Sequence, residues 1–193
     1  TSWQVSENGL TYIFHLRDGV KFHDGTPFSA DDVKATFDRI IFPPKGVFSA
    51  RKANLDAVKE VKVIDPLTVQ LVLREPRGFL LQVLALSWNT IESKKVLEAN
   101  NFDLKRAKGR PGTGPFKFLD QRQDEFWKYE KNRDYWNPDL PYVDGMETIS
   151  TNFGPPTAAV FLAGQVDYAY GIDPISAKRA QGTKVFNVSL VKS

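Results

Sequence analysis

The chain of 193 residues contains no cysteine, which excludes disulfides, thiol nucleophiles and thiolate metal sites. Histidine is almost as scarce: His15 and His23 are the only two. No His-Glu-x-x-His pair and no Gly-x-Ser-x-Gly elbow occurs, so the common signatures of zinc proteases and serine hydrolases are missing. No apolar run is long enough to span a bilayer. No leader-like stretch is visible either. The opening "TSWQVSENGLTYIFHL" reads as mid-domain sequence with strand character, and the chain is expected to be a piece of a longer protein. Lys plus Arg number 26 and Asp plus Glu 23, a net charge of +3, and no basic block is interleaved with aromatics. That distribution argues against nucleic acid as a partner. There is no internal repeat and no low-complexity tract.

What is present is ordinary globular composition, 41% hydrophobic and 25% charged. The stretch "FHDGTPFSADDVKATFDRI" raises the main chemical question, because His23 stands beside Asp24 with Asp31 and Asp32 close behind. Alternation in "TYIFHL" and "VKFH", with turns at Asp18-Gly19 and Asp24-Gly25, predicts a hairpin over 11–23, with His15 and Phe22 on its strands. Ser29 followed three residues later by Asp32 predicts a capping box, and Asp31 and Asp32 suit the positive end of a helix dipole. Val33, Phe37, Ile40 and Ile41 recur at helical spacing. Two of the acids thus have a structural role, and His23-Asp24 reads as a strand end and turn. A hydrolase using His23 with Asp24 or Asp31 is the competing reading. It lacks a third partner.

Beyond the helix, "KEVKVID" and "TVQLVLRE" predict two strands joined at Asp65-Pro66. "GFLLQVLALS" and "SKKVLEAN" predict helices, the second capped by Ser93. "KGRPGTGPF" is the expected domain boundary. "FKFLD", "EFWKYEKN", "METISTNF", "VDYAYG" and "KVFNVSLV" predict strands, and "PPTAAVFLAGQ" and "DPISAKRAQ" helices. The succession points to an α/β, mixed α+β fold.

Several blocks in series resemble one family. "SWQVSENGLTYIFHLRDGVKFHDGTPFSADDVKATFDRI", "GTGPFKF", "NRDYWNPDLPYVDGMETI" and "AAVFLAGQVDYAYG" resemble, in order, the family 5 solute-binding proteins of peptide- and nickel-type ABC importers. The resemblance implies part of a two-lobed periplasmic-binding-protein fold of type II. Residues 1–108 would be most of the family's extra domain and 109–193 a returning segment of the first lobe, with the second lobe missing. It implies a binding protein and no enzyme. It would need no cofactor and would bind oligopeptides or dipeptides, or alternatively a nickel chelate, sugar or other small solute. The partner would be an ABC permease in the cytoplasmic membrane. The protein would be extracytoplasmic, either free in the periplasm or lipid-anchored. Under this resemblance "FHDGTPF" and "RDYWNPDLPY", with Tyr135 and Trp136, are structural signatures.

The candidate solute contacts follow. Tyr170 and Gly171 end the predicted "QVDYAYG" strand, where side chains border clefts in open sheets, and peptide-binding relatives place a tyrosine there. Trp88 closes an apolar segment and is followed by polar residues, a pattern that suits a pocket wall. Phe48 lies in a loop where relatives offer an aromatic to the cleft. Thr113, in "GTGP", offers a hydroxyl among backbone amides, without the Lys-Ser/Thr of a phosphate loop.

Overall fold

The computed structural model describes residues 1–107 and 109–182. The chain divides into two units: residues 1–117 with 130–144, and residues 118–129 with 145 onward. It is mixed α+β, as the sequence predicts.

The first unit is built on an antiparallel sheet of four strands: β1 (Ser2–Val5), β2 (Thr11–His15), β3 (Val58–Asp65) and β4 (Thr68–Leu73). Their spatial order is β1-β2-β4-β3. The β-branched runs suit a pleated, half-buried surface, and β3 turns into β4 through Asp65, whose Oδ1 accepts the Leu67 N–H at 2.8 Å. Against this sheet lies α1 (Ala30–Ile41), which turns Val33, Phe37, Ile40 and Ile41 inward. They meet Val58, Val61, Val69 and Leu71 in one core with Leu55 and with Leu80 from α2 (Leu80–Leu84). A further short helix, α3 (Lys94–Ala99), packs on α1.

The capping box is present. Asp32 is buried, its Oδ2 accepting the Ser29 N–H at 2.9 Å and the Ser29 hydroxyl at 3.2 Å. Its Oδ1 accepts the Lys94 N–H at 2.8 Å. One carboxylate therefore closes α1 and also starts α3. Ser93 holds the N-cap position of α3 without making a side-chain cap bond, and the first N–H of that helix goes to Asp32.

The hairpin expected over 11–23 does not form. Both edges of β2 are occupied, by β1 and by β4. Residues 20–28 close on themselves instead: Lys21 bridges Pro27, Phe22 N–H donates to Thr26 O at 2.8 Å, and Phe28 N–H donates to Val20 O at 2.9 Å. The cause is Asp24, whose Oδ1 accepts the Thr26 N–H at 3.0 Å and its hydroxyl at 2.6 Å, with Gly25 at a φ of 83° that glycine tolerates. His15 is on a strand as expected, whereas Phe22 is buried in the tight loop.

The second unit holds most of a three-stranded sheet of β5 (Phe116–Arg122), β6 (Phe126–Lys131) and β7 (Gly145–Ile149), in that order. Phe118 meets Trp127 and Tyr129 edge-on, at centroid distances of 6.1 and 6.2 Å. Two helices follow. α4 (Pro155–Leu162) has prolines in its first turn, as read from the sequence, and α5 (Pro174–Gly182) starts after Asp173. Asp173 Oδ1 accepts the Ile175 and Ser176 N–H groups. The strand expected at "VDYAYG" is irregular backbone, because no described strand offers that segment a ladder. The strand expected at "KVFNVSLV" lies outside the described residues.

Candidate functional site

Gly114 O is the point where three of the recognisable sequence blocks meet. His23 Nε2 lies 3.0 Å from it, and Asn132 Nδ2 donates to it at 2.9 Å. Gly112 N–H approaches His23 Nδ1 at 3.3 Å, and His23 N–H donates to Gly112 O at 2.8 Å. The ring therefore carries its proton on Nε2 and accepts at Nδ1, so both nitrogens are engaged with backbone. Asn132 is buried and also accepts the Asp134 N–H through Oδ1. The aromatic loop behind it is pinned by Arg17, which stacks 3.9 Å from the centre of the Trp136 ring. This is a structural clasp. Asp24 is committed to Thr26, and Asp31 to Lys94 at 3.2 Å. Neither acid pairs with His23, so the geometry gives no acid/base couple. Among the described residues no cluster of three His, Asp or Glu side chains is placed to hold a metal ion.

Thr113 lies inside the clasped loop and is half-buried. Phe48 is 75% exposed in an irregular segment, and Trp88 is 52% exposed just after α2. These three belong to the first unit, as does Glu92, which follows Trp88 in sequence. Glu92 is tied to α1 by Thr36, which accepts its N–H at 2.9 Å and donates to its carbonyl at 3.2 Å. Its carboxylate takes Arg110 through both Nη2 and Nε. Arg51, three residues beyond Phe48, lies within electrostatic reach of Glu92, Arg39 and Arg110. Burial first, then the like charge of Arg39, pulls the Arg51 guanidinium below its ordinary value, while Glu92 opposes that shift and Arg110 adds to it. Arg39 itself donates from Nε to Phe102 O at 2.6 Å. In the 88–92 segment, Asn89 is buried and donates to Val83 O at 2.6 Å, but its Oδ1 has no hydrogen-bond partner in the described structure. Sequence reading missed Arg51, Glu92, Arg110 and Asn89. No local pattern marks them, because contacts between distant segments make the cluster.

Tyr170 and Gly171 belong to the second unit. Tyr170 is 69% exposed and meets Phe153 edge-on at 5.9 Å. Gly171 has a φ of 73°, its carbonyl accepts the Gly154 N–H at 3.0 Å, and a Cβ there would come within 2.4 Å of Phe153 Cδ1. The strand-end argument for Tyr170 fails with the strand, although the ring is presented to solvent. A cavity of about 280 Å³ beside α1 and α3, lined by Lys34, Asp38, Arg39, Lys94, Glu98 and Phe102 among others, includes none of the five candidates.

Residues 1–193 match the family described as bacterial extracellular solute-binding proteins, family 5 Middle. The chain belongs to this family. It is a family of binding proteins rather than enzymes. The glutathione-binding protein GsiB of Escherichia coli K12 is 32% identical over 193 residues, which cover 100% of this chain and 36% of GsiB. The chain thus spans about a third of the length of the curated relatives it matches. Among solved structures, the binding protein AgaA of A. tumefaciens R10, in complex with agropinic acid, superposes with a TM-score of 0.81 at 30% identity, over 94% of this chain and 35% of that one. DppA of Helicobacter pylori, in complex with the peptide STSA, gives 0.73 at 32% identity, over 86% and 36%. NikA of Brucella suis, in complex with Fe(III)-EDTA, gives 0.81 at 27% identity, over 96% and 38%. Among the described residues no helix is long and apolar enough to cross a membrane.

Proposed function

We propose that this chain is part of the solute-binding component of an ABC importer, that the whole protein captures oligopeptides or dipeptides outside the cytoplasmic membrane, and that it delivers them to a membrane permease. The observation that carries the reading is the 32% identity to a glutathione-binding protein over 100% of this chain. The H. pylori relative bound to a tetrapeptide supports the same cargo class. Residues 1–108 would form most of the family's extra domain and 109–193 a returning segment of the first lobe. The mechanism is capture by closure: solute stabilises the closed state of two lobes, and the permease accepts that state. The protein is extracytoplasmic, free in the periplasm or anchored at the membrane surface. Phe48, Trp88, Thr113, Tyr170 and Gly171 are the proposed solute contacts.

A second cargo reading, a metal chelate or other small acid, is favoured by the relatives bound to Fe(III)-EDTA and agropinic acid. Titration of the full-length parent with glutathione, a dipeptide set and a nickel–histidine complex, followed by tryptophan fluorescence, separates the two. Saturable binding of peptides, weakened about tenfold or more by Trp88→Ala or Tyr170→Ala in a protein that still folds, is expected for exposed aromatics that the bound solute covers. Binding of the chelate alone would overturn the peptide assignment.

A further inference from the structure

The clasp that holds the Gly112–Gly114 turn depends on a neutral histidine. His23 Nδ1 accepts the Gly112 N–H at 3.3 Å, and Nε2 donates to Gly114 O at 3.0 Å. An imidazolium has two N–H donors and no acceptor. Protonation keeps the bond to Gly114 but sets an N–H against the Gly112 N–H. Histidine is the side chain that makes this change between pH 8 and 5. Ring and turn are both half-buried, so the stranded Gly112 N–H has little water to replace its acceptor.

The surrounding charges are already committed. On the 20–28 loop, Asp24 accepts the Thr26 hydroxyl at 2.6 Å and has Lys95 within electrostatic reach, while Lys21 is exposed. Beside the turn, Arg110 pairs with Glu92. On the third side, Asp134 lies 3.8 Å from Lys117, and Arg133 is exposed. Among the described residues none of these carboxylates bonds the ring, whose two partners are Gly112 and Gly114. The rest of the clasp is indifferent to acid. Asn132 donates from Nδ2 to Gly114 O at 2.9 Å and from its backbone to Pro115 O at 2.8 Å. The turn therefore loosens at Gly112 while it stays anchored at Gly114 and Pro115, and Thr113 lies between.

We propose that His23 is a positioning residue for the Thr113 loop and an acid-sensitive latch on it. Neutral, it fixes the loop in the form that meets solute. Protonated, it frees Gly112 and Thr113 and weakens solute retention. A hydroxyl set among backbone N–H groups selects a ligand only when its loop is held still. His23 acts through that loop. This inference rests on the reading of Thr113 as a solute contact of the parent protein.

The test is an NMR titration of the full-length parent from pH 7.5 to 5, read at the His23 ring nitrogens and the Gly112 and Gly114 amides. Binding of glutathione and of the dipeptide Met-Leu is measured over the same range. The ring should carry its proton on Nε2 at pH 7.5. The Gly112 amide shift should follow the His23 titration with a common midpoint. Exchange at Gly112, corrected for its intrinsic pH dependence, should accelerate about tenfold relative to Gly114. Affinity for the probe that binds should fall about tenfold by pH 5, as expected for one lost hydrogen bond. His23→Gln offers an acceptor and a donor that do not titrate, so its affinity should change about twofold at most; the comparison also cancels ionisation of the probe. His15→Gln, on β2, should keep the wild-type fall. A proton on Nδ1 at pH 7.5, a Gly112 amide that ignores the titration of His23, or an equal loss of affinity in His23→Gln would each overturn the proposal. If His23→Gln fails to fold, the wild-type ring and Gly112 signals decide, with His15→Gln assigning the His23 ring by elimination. Should the parent bind a probe while Gly112 ignores His23, only this inference falls. Should it bind neither probe while Gly112 follows His23, the solute reading falls and the latch stands.

Discussion

His23 Nε2 and Gly114 O lie 3.0 Å apart across 91 residues of chain, and Asn132 Nδ2 reaches the same carbonyl at 2.9 Å. The histidine that looks most chemical in the sequence is therefore a fastener of the Gly112–Gly114 turn. His23→Ala should cost about 1–3 kcal/mol of stability through the unpaired Gly112 N–H and the lost bond to Gly114. Urea denaturation of the two proteins checks this, together with a solute titration of the parent. A variant that keeps its stability but loses a catalysed turnover would contradict the structural assignment.

Asp32 links two helices through one carboxylate. Asp32→Ala would strand the Ser29 and Lys94 N–H groups. It should destabilise the first unit by about 2–3 kcal/mol, more than loss of a single cap alone. Hydrogen exchange at the Lys94 amide should accelerate with it. Unchanged exchange there would show that α3 is held by something else.

Asp24 titrates below the ordinary aspartate value, first because the Thr26 hydroxyl donates to its carboxylate; desolvation opposes this, and the Thr26 amide and Lys95 add to the lowering. A carboxyl whose folded pKa is depressed adds stability that is present above its unfolded value, about 4. That contribution is lost as pH falls through the lower folded value. Thr26→Val should therefore lower stability at pH 6 and make little difference at pH 2. A gap between wild type and variant that stays constant down to pH 2 would rule out this linkage.

Gly171 abuts the ring that Tyr170 leans on. Its φ of 73° and the 2.4 Å approach of a Cβ to Phe153 leave no room for alanine. Gly171→Ala should cost about 1–3 kcal/mol in backbone strain, plus the displacement of Phe153. Ring-current-shifted NMR signals of Phe153 and Tyr170 report the pair directly. Their persistence in the variant would mean that the two rings do not depend on this glycine.

Local rules made much of the architecture legible. The Ser29–Asp32 box, the helical spacing of Val33, Phe37, Ile40 and Ile41, the alternation in β3 and β4 and the prolines opening α4 each depend on neighbours within a few residues. The failures share a different physics. The expected hairpin over 11–23 does not form because β2 fills both edges with β1 and with β4, a partner more than fifty residues away in sequence. Tyr170 has the composition of a strand, but no described strand pairs with it. At the site, Phe48, Trp88 and Thr113 could be chosen singly. The Arg110–Glu92 pair between their segments is a tertiary fact with no period in the sequence.

The most direct measurement is native mass spectrometry of the full-length parent protein purified from its own cells, followed by mild denaturation and identification of what it releases. Short peptides, intact and in varied sequence, are the predicted result for a protein that holds its cargo without reacting with it. A single metal chelate or sugar would contradict the peptide assignment. Cleaved products from an added intact peptide would contradict the binding role itself.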